Sequence, residues 1–146
     1  MPMAGKGLRF KNHGYTTPKP LIKINQIPMF IKSSMAFSKK LKWFFIIQKS
    51  LSQNKIFKNS IRFFTNKKII ILNKYTKGQA STVAKAIKFL SKHQIVIVHS
   101  CDLSFKIDFE EVKKKLKRND VIVLTSKGKK YNFKNSTQFS WVRKNT

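Results

Sequence analysis

A chain of 146 residues with 32 Lys and Arg against 5 Asp and Glu carries a formal charge of +27 at neutral pH, far beyond what keeps a small domain soluble. Its natural partner is a polyanion, because each phosphate neutralised by a cation releases condensed counterions. The acids are Asp102, Asp108, Glu110, Glu111 and Asp120, so residues 1–101 hold none, and two-carboxylate hydrolysis or a carboxylate-held metal is out of their reach.

Cys101 is the single cysteine, which excludes an internal disulfide and a multi-cysteine zinc site. No apolar run approaches the ~20 residues of a membrane-spanning helix, and MPMAGKGLRF lacks the apolar stretch of a secretory signal. Arginine appears only as Arg9, Arg62, Arg118 and Arg143. The abundance of Lys, Ile, Phe and Asn is what strongly AT-rich coding produces, and it suggests an organellar or parasite genome.

Residues 1–28 carry Gly5, Gly7, Gly14, Pro18, Pro20 and Pro28, which interrupt any long regular element. The segment reads as a basic extension that orders only against a polyanion. From Ser38 to Leu51, Leu41, Phe44, Phe45, Ile47 and Leu51 recur at three and four residues, and the spacing predicts a helix capped by Ser38. Trp43, Phe44 and Phe45 read as core, not as a base-stacking platform. Asn54 marks a turn. KIFKNSIRFF then alternates as a strand and KKIIILNKY is a clearer one, so residues 55–75 are expected to form a hairpin with Asn66 and Lys67 at its tip.

Gly78 supplies a turn before a helix over Ala80–Leu90, with Val83, Ala86, Ile87 and Leu90 on one face. Residues 94–99 read as a buried strand. His93 and His99 bracket it without a ligand partner at metal spacing. FEEVKKKLKRND is a short helix with Glu110 and Glu111 at its start and lysines toward its end, as the macrodipole favours, and Glu110 is placed to pair with Lys114.

Val121, Ile122, Val123 and Leu124 then form a run that suits a covered strand. It opens into Thr125, Ser126, Lys127, Gly128, Lys129 and Lys130, whose hydroxyls, ammonium groups and glycine suit an exposed loop that adheres to phosphates and base edges. Phe139, Trp141 and Arg143 suggest a last strand with one aromatic face. The expected fold class is α+β: two small lobes, each a short β-sheet packed with one or two helices, at 29–77 and 78–146, after the basic extension at 1–28.

Three patches give this order of pieces a family likeness. IIILNKYTKG followed by STVAKAIKFLSK, FEEVKKKLKRNDVIVLTSKG, and the closing FSWV together resemble the universal small-subunit ribosomal protein eight family from about Ser38 onward. The resemblance implies a structural constituent of an organellar small ribosomal subunit. It would be mitochondrial and made in the organelle, with its C-terminal lobe on the central domain of small-subunit rRNA beside neighbouring ribosomal proteins. The RNA-binding residues would then be Thr125, Ser126, Lys127, Gly128, Lys129 and Lys130, joined by Ser91 and Lys92. HQIVIVHSCDLS with EEVKKKLKR also resembles the large-subunit stalk-base family, which is the alternative, alongside another non-catalytic RNA-binding protein. Neither reading calls for a cofactor, a metal, a membrane or a small-molecule substrate. No catalysis is expected, because a nuclease needs carboxylates for Mg²⁺ and the acids here serve helix polarity.

Overall fold

The computed structural model describes residues 1–124 except Lys39, His93, Phe105, Ile107 and residues 118–120. The chain divides into two units, Met1–Lys106 and Ile107–Thr146. The fold is α+β: a three-stranded parallel sheet and a two-stranded antiparallel ribbon packed with helices.

In the first unit β1 (Pro2–Met3), β4 (Trp43–Gln48) and β5 (Lys67–Leu72) form the parallel sheet in the order β1-β4-β5. Met3 faces Ile47, and Ile47 faces Ile71. Between β1 and β4 come α1 (Leu8–Asn12), a 3-10 turn at Lys19–Leu21, the ribbon of β2 (Lys23–Ile24) and β3 (Ile27–Pro28), and α2 (Met29–Ser34). Residues 1–28, expected as an extension, therefore contribute an edge of the sheet, and Met3, Ala4 and Leu21 are buried. The ribbon turns on Asn25 and Gln26, both at positive φ (50° and 65°), the conformation a two-residue hairpin loop of type I′ demands.

The helix expected over 38–51 is a correction. WFFIIQ is the central strand β4, and only Lys49–Gln53 coils, as α3. A continuous aromatic and β-branched run covered on both faces is what a central parallel strand needs. The strand expected at 55–64 is likewise a helix. Asn54 Oδ1 accepts from the N–H groups of Ile56 (2.9 Å) and Phe57 (3.2 Å) and starts α4 (Lys55–Ser60), which tightens into a 3-10 turn at Ile61–Phe63. Phe57, Ile61 and Phe64 then share the inward face and are nearly inaccessible. The hairpin at 55–75 is replaced by a β-α-β crossover, because β4 and β5 run parallel.

The core is aromatic. The rings of Phe30 and Phe45 meet edge to face with centroids 6.1 Å apart, Phe45 and Phe64 at 4.7 Å, and Trp43 stacks on Phe45 at 5.7 Å. Arrangements of this kind add to simple area burial. They fix α2 and the α4 segment against the same face of β4.

After β5, α5 (Gln79–Ala84) and a 3-10 turn (Ile87–Phe89) replace the single helix expected over 80–90. Residues 94–98 form no strand, and Ile95, Val96, Ile97 and Val98 are exposed, contrary to the buried strand expected there. In the second unit α6 (Phe109–Leu116) matches its expectation, with Asp108 as the N-cap accepting from Glu110 N and Glu111 N. Glu110 pairs with Lys113, not with Lys114 as expected, and Glu111 with Lys115, each at 2.7 Å. Val121, Val123 and Leu124 are exposed and belong to no strand, which corrects the covered strand expected there. The expected last strand lies outside the described residues.

Candidate functional site

Because β1, β4 and β5 are parallel, their carboxyl ends open on one edge of the sheet, the edge where ligands bind in open α/β sheets. Two connections leave that edge side by side. One runs Ala4-Gly5-Lys6-Gly7-Leu8-Arg9 from β1 into α1, and the other runs through Tyr75, Thr76 and Gly78 from β5 into α5. Between them lies a groove of about 440 Å³ walled by residues 2–10, Lys19, Pro20, the 75–79 connection, Thr82, Ser100 and Cys101.

The central strand holds both connections. Gln48, the last residue of β4, is buried, and its amide Nε2–H donates to Ala4 O on one side and Lys74 O on the other, each at 3.3 Å. Gly7 has φ of 66°, a left-handed conformation that glycine adopts without a Cβ penalty. Its carbonyl accepts from Phe10 N and Lys11 N. No side chain would meet a Cβ at Gly5, so the backbone there faces open space. On the opposite wall Thr82 Oγ1 donates to Gly78 O (3.0 Å) and lies 2.5 Å from Thr76 Oγ1, pinning the entry to α5.

Cations gather round this groove. Lys6 Nζ sits 5.4 Å from the centre of the Tyr75 ring, and Lys19 Nζ 5.3 Å from that of Phe10. Arg9 lines the same wall. Lys19 Nζ is also 2.5 Å from Asp102 Oδ2, while the Ser100 hydroxyl donates to Asp102 Oδ1. Burial pushes the Asp102 carboxyl up, but the Lys19 ammonium and the Ser100 hydroxyl outweigh it and hold the group below its ordinary value. Burial pushes the neighbouring Cys101 thiol up to about 11, so it is a neutral wall group and no nucleophile.

Among the described residues no three His, Cys, Asp or Glu side chains cluster to hold a metal. Asp102 is the one carboxylate at the groove, and both its oxygens are engaged by Lys19 and Ser100, so it does not fit a cation ligand. His99 is buried, and its Nε2–H donates to Ser33 O at 3.1 Å, a structural role.

Of the residues expected to bind RNA, Thr125, Ser126, Lys127, Gly128, Lys129 and Lys130 lie outside the described residues. Ser91 and Lys92 are exposed beyond the 3-10 turn, where Ser91 N–H donates to Gln94 Oε1 (3.3 Å). In the sequence alone Gly5, Gly7 and the surrounding lysines read as an unordered extension, which hides the groove residues. The available signal was local: a small-residue run with a cation between an apolar pair, Pro2-Met3, and the helical LRFKN is the strand-loop-helix order that cradles phosphate.

No protein-family model and no curated protein matches the chain. Among solved structures it is similar to the crystal structure of a nucleoside-diphosphate-sugar pyrophosphorylase from Vibrio cholerae RC9, with a TM-score of 0.52 and 26% sequence identity over 66% of this chain. The chain spans 43% of that protein's length. The likeness is to an enzyme, and it overturns both the reading of a structural ribosomal constituent, small-subunit or stalk-base, and the expectation of no catalysis.

Proposed function

We propose that the chain binds a nucleoside phosphate in the groove between residues 4–10 and 75–79 and belongs to an enzyme of nucleotidyl transfer that makes or cleaves a nucleoside-diphosphate sugar. The observation that carries this reading is the likeness to the Vibrio pyrophosphorylase at 26% identity and a TM-score of 0.52. The groove's position and charge support it independently.

In such a transfer a phosphate oxygen of a sugar phosphate attacks the α-phosphorus of a nucleoside triphosphate. The bond from that phosphorus to the bridging oxygen breaks, and pyrophosphate leaves with the electron pair. The protein's part is to position the groups and to stabilise charge. Lys6 on the glycine-bearing loop and Arg9 in the first turn of α1 are placed for the phosphates, and the exposed backbone at Gly5 allows their close approach. Lys19 supplies a third cation, oriented by Asp102. The far wall, with Tyr75, Gly78 and Gln79, offers a ring, a backbone edge and an amide to the nucleoside. Phosphate-rich small molecules suit the surplus of cations as well as a polymer does, so the charge of +27 fits this reading without rRNA.

The test is pyrophosphate release when the full chain is given nucleoside triphosphates and a panel of sugar phosphates with Mg²⁺. Release that falls about 100-fold in Arg9→Ala or Lys19→Met, the scale of losing one donor to developing charge, is the expected result. Absence of both triphosphate binding and pyrophosphate release would overturn the reading.

A further inference from the structure

A second groove lies on the other side of the sheet order, along β5. Among the described residues β5 has one ladder partner, β4, so along its outer edge the N–H and C=O groups of alternate residues have no strand partner. Beside it a hollow of about 590 Å³ runs between β5 and the α5 segment, walled by Ile69, Ile71, Lys85, Lys88 and Phe89. Ile71 is 50% exposed and Ile69 36%. The hollow is ringed by charge of one sign: Lys68 Nζ stands 4.0 Å from the centre of the Phe89 ring and Lys88 Nζ 5.3 Å, with Lys85 and Lys88 both exposed.

We propose that this edge receives an extended acidic segment of a partner polypeptide by strand addition. Backbone hydrogen bonds to β5 would supply affinity, alternate apolar side chains would cover Ile69 and Ile71, and carboxylates would meet Lys68, Lys85 and Lys88. Charge decides the occupant. Residues 1–101 contain no acid, so nothing nearby in sequence neutralises the three lysines, and a second copy of this chain would bring a further +27 to the contact. Lysines do guard free edges against aggregation, but a guarded edge does not require two uncovered isoleucines at alternate positions. A nucleic-acid strand would want the Phe89 face, which Lys68 already occupies.

The experiment is fluorescence anisotropy of the full chain with labelled eight-residue peptides of alternating Glu and Val. Three comparison probes complete it: the matching Lys-Val peptide, a Glu-Val peptide with a central proline, and an oligouridylate of equal charge. Binding of the Glu-Val peptide, weakened about tenfold in the surface variant Lys85→Glu/Lys88→Glu and to the same degree by the central proline, is the expected result. Ile71→Thr, with circular dichroism unchanged, should also weaken it. Equal binding of the proline-bearing peptide would reduce the site to charge alone and overturn the proposal. So would no binding of the Glu-Val peptide, preferential binding of the oligouridylate, or self-association through β5. Pyrophosphate release is a separate readout, and none of these variants touches the nucleotide groove.

Discussion

Lys19 Nζ lies 2.5 Å from Asp102 Oδ2 across 83 residues of sequence, and this pair ties the turn after α1 to the segment that closes the groove. The side chains are 21% and 36% accessible, so solvent screens the contact and its worth lies in orientation more than in stability. Lys19→Met should leave the thermal midpoint nearly unchanged while lowering triphosphate affinity and turnover together. A shift in midpoint with unchanged nucleotide affinity would assign the pair a purely structural role.

The same pair predicts an acid-side response. Asp102 is held below its ordinary value in the folded chain, so its contribution is full above the unfolded carboxylate value of about 3.9 and is lost as pH falls below that toward the lower folded value. Asp102→Asn should lower the denaturant midpoint modestly at neutral pH and flatten its fall below about pH 4, so that the two proteins converge in acid. Equal acid sensitivity in both proteins would show that Asp102 is not the responding group.

Gln48 offers the sharper test of how the site is built. Its one amide serves Ala4 O and Lys74 O, the two chain exits that become the groove's walls. Gln48→Leu keeps the bulk and removes both donors, and the carbonyls left behind cost about 1–3 kcal/mol if they stay dry. The expected result is a lower midpoint together with faster amide exchange at residues 4–7 and 74–78, leaving exchange in the α4 segment unaltered.

How far these features could be read from sequence depends on how local each one is. Strand β5 and helix α6 were legible: KKIIIL is β-branched throughout, and Asp108, Glu110 and Glu111 satisfy a helix start within one turn. Strand β4 was not, because Phe44, Phe45, Ile47 and Leu51 happen to recur at helical spacing, and burial on both faces removes the alternation that would reveal a strand. The hairpin error has the same root, since parallel pairing of Ile46 with Ile70 is set by the crossover and not by any turn residue. The groove was the least visible part: Gly5, Lys6, Gly7 and Arg9 are few, and their meaning depends on a two-residue strand before them and on Asp102 far along the chain.

Histidine 99 predicts a second pH effect. Burial pushes its imidazole below the ordinary value, which the hydrogen bond to Ser33 O opposes without cancelling. A histidine held neutral in the fold stabilises fully above the unfolded value of about 6.5, and that stability is lost as pH falls below it, because the unfolded chain then takes up the proton first. Denaturant midpoints should decline from pH 7.5 to 5.5, and His99→Gln should reduce the decline, the remainder belonging to the Met1 amine, which burial pushes down to about 5.

The ribbon turn gives a prediction of the opposite sign. Asn25 and Gln26 both sit at positive φ, and the two central positions of a type I′ turn favour Asn followed by Gly. Asn tolerates the conformation, whereas Gln carries a Cβ that crowds the following carbonyl at a cost of about 1 kcal/mol. Gln26 is exposed, so replacing it loses little packing. Gln26→Gly should therefore raise stability by up to about 0.5 kcal/mol, the strain relief outweighing the extra freedom glycine gives the unfolded chain. Gln26→Ala, which keeps the Cβ, should give no gain, and equal midpoints for the Gly and Ala variants would show that φ is not what limits this turn.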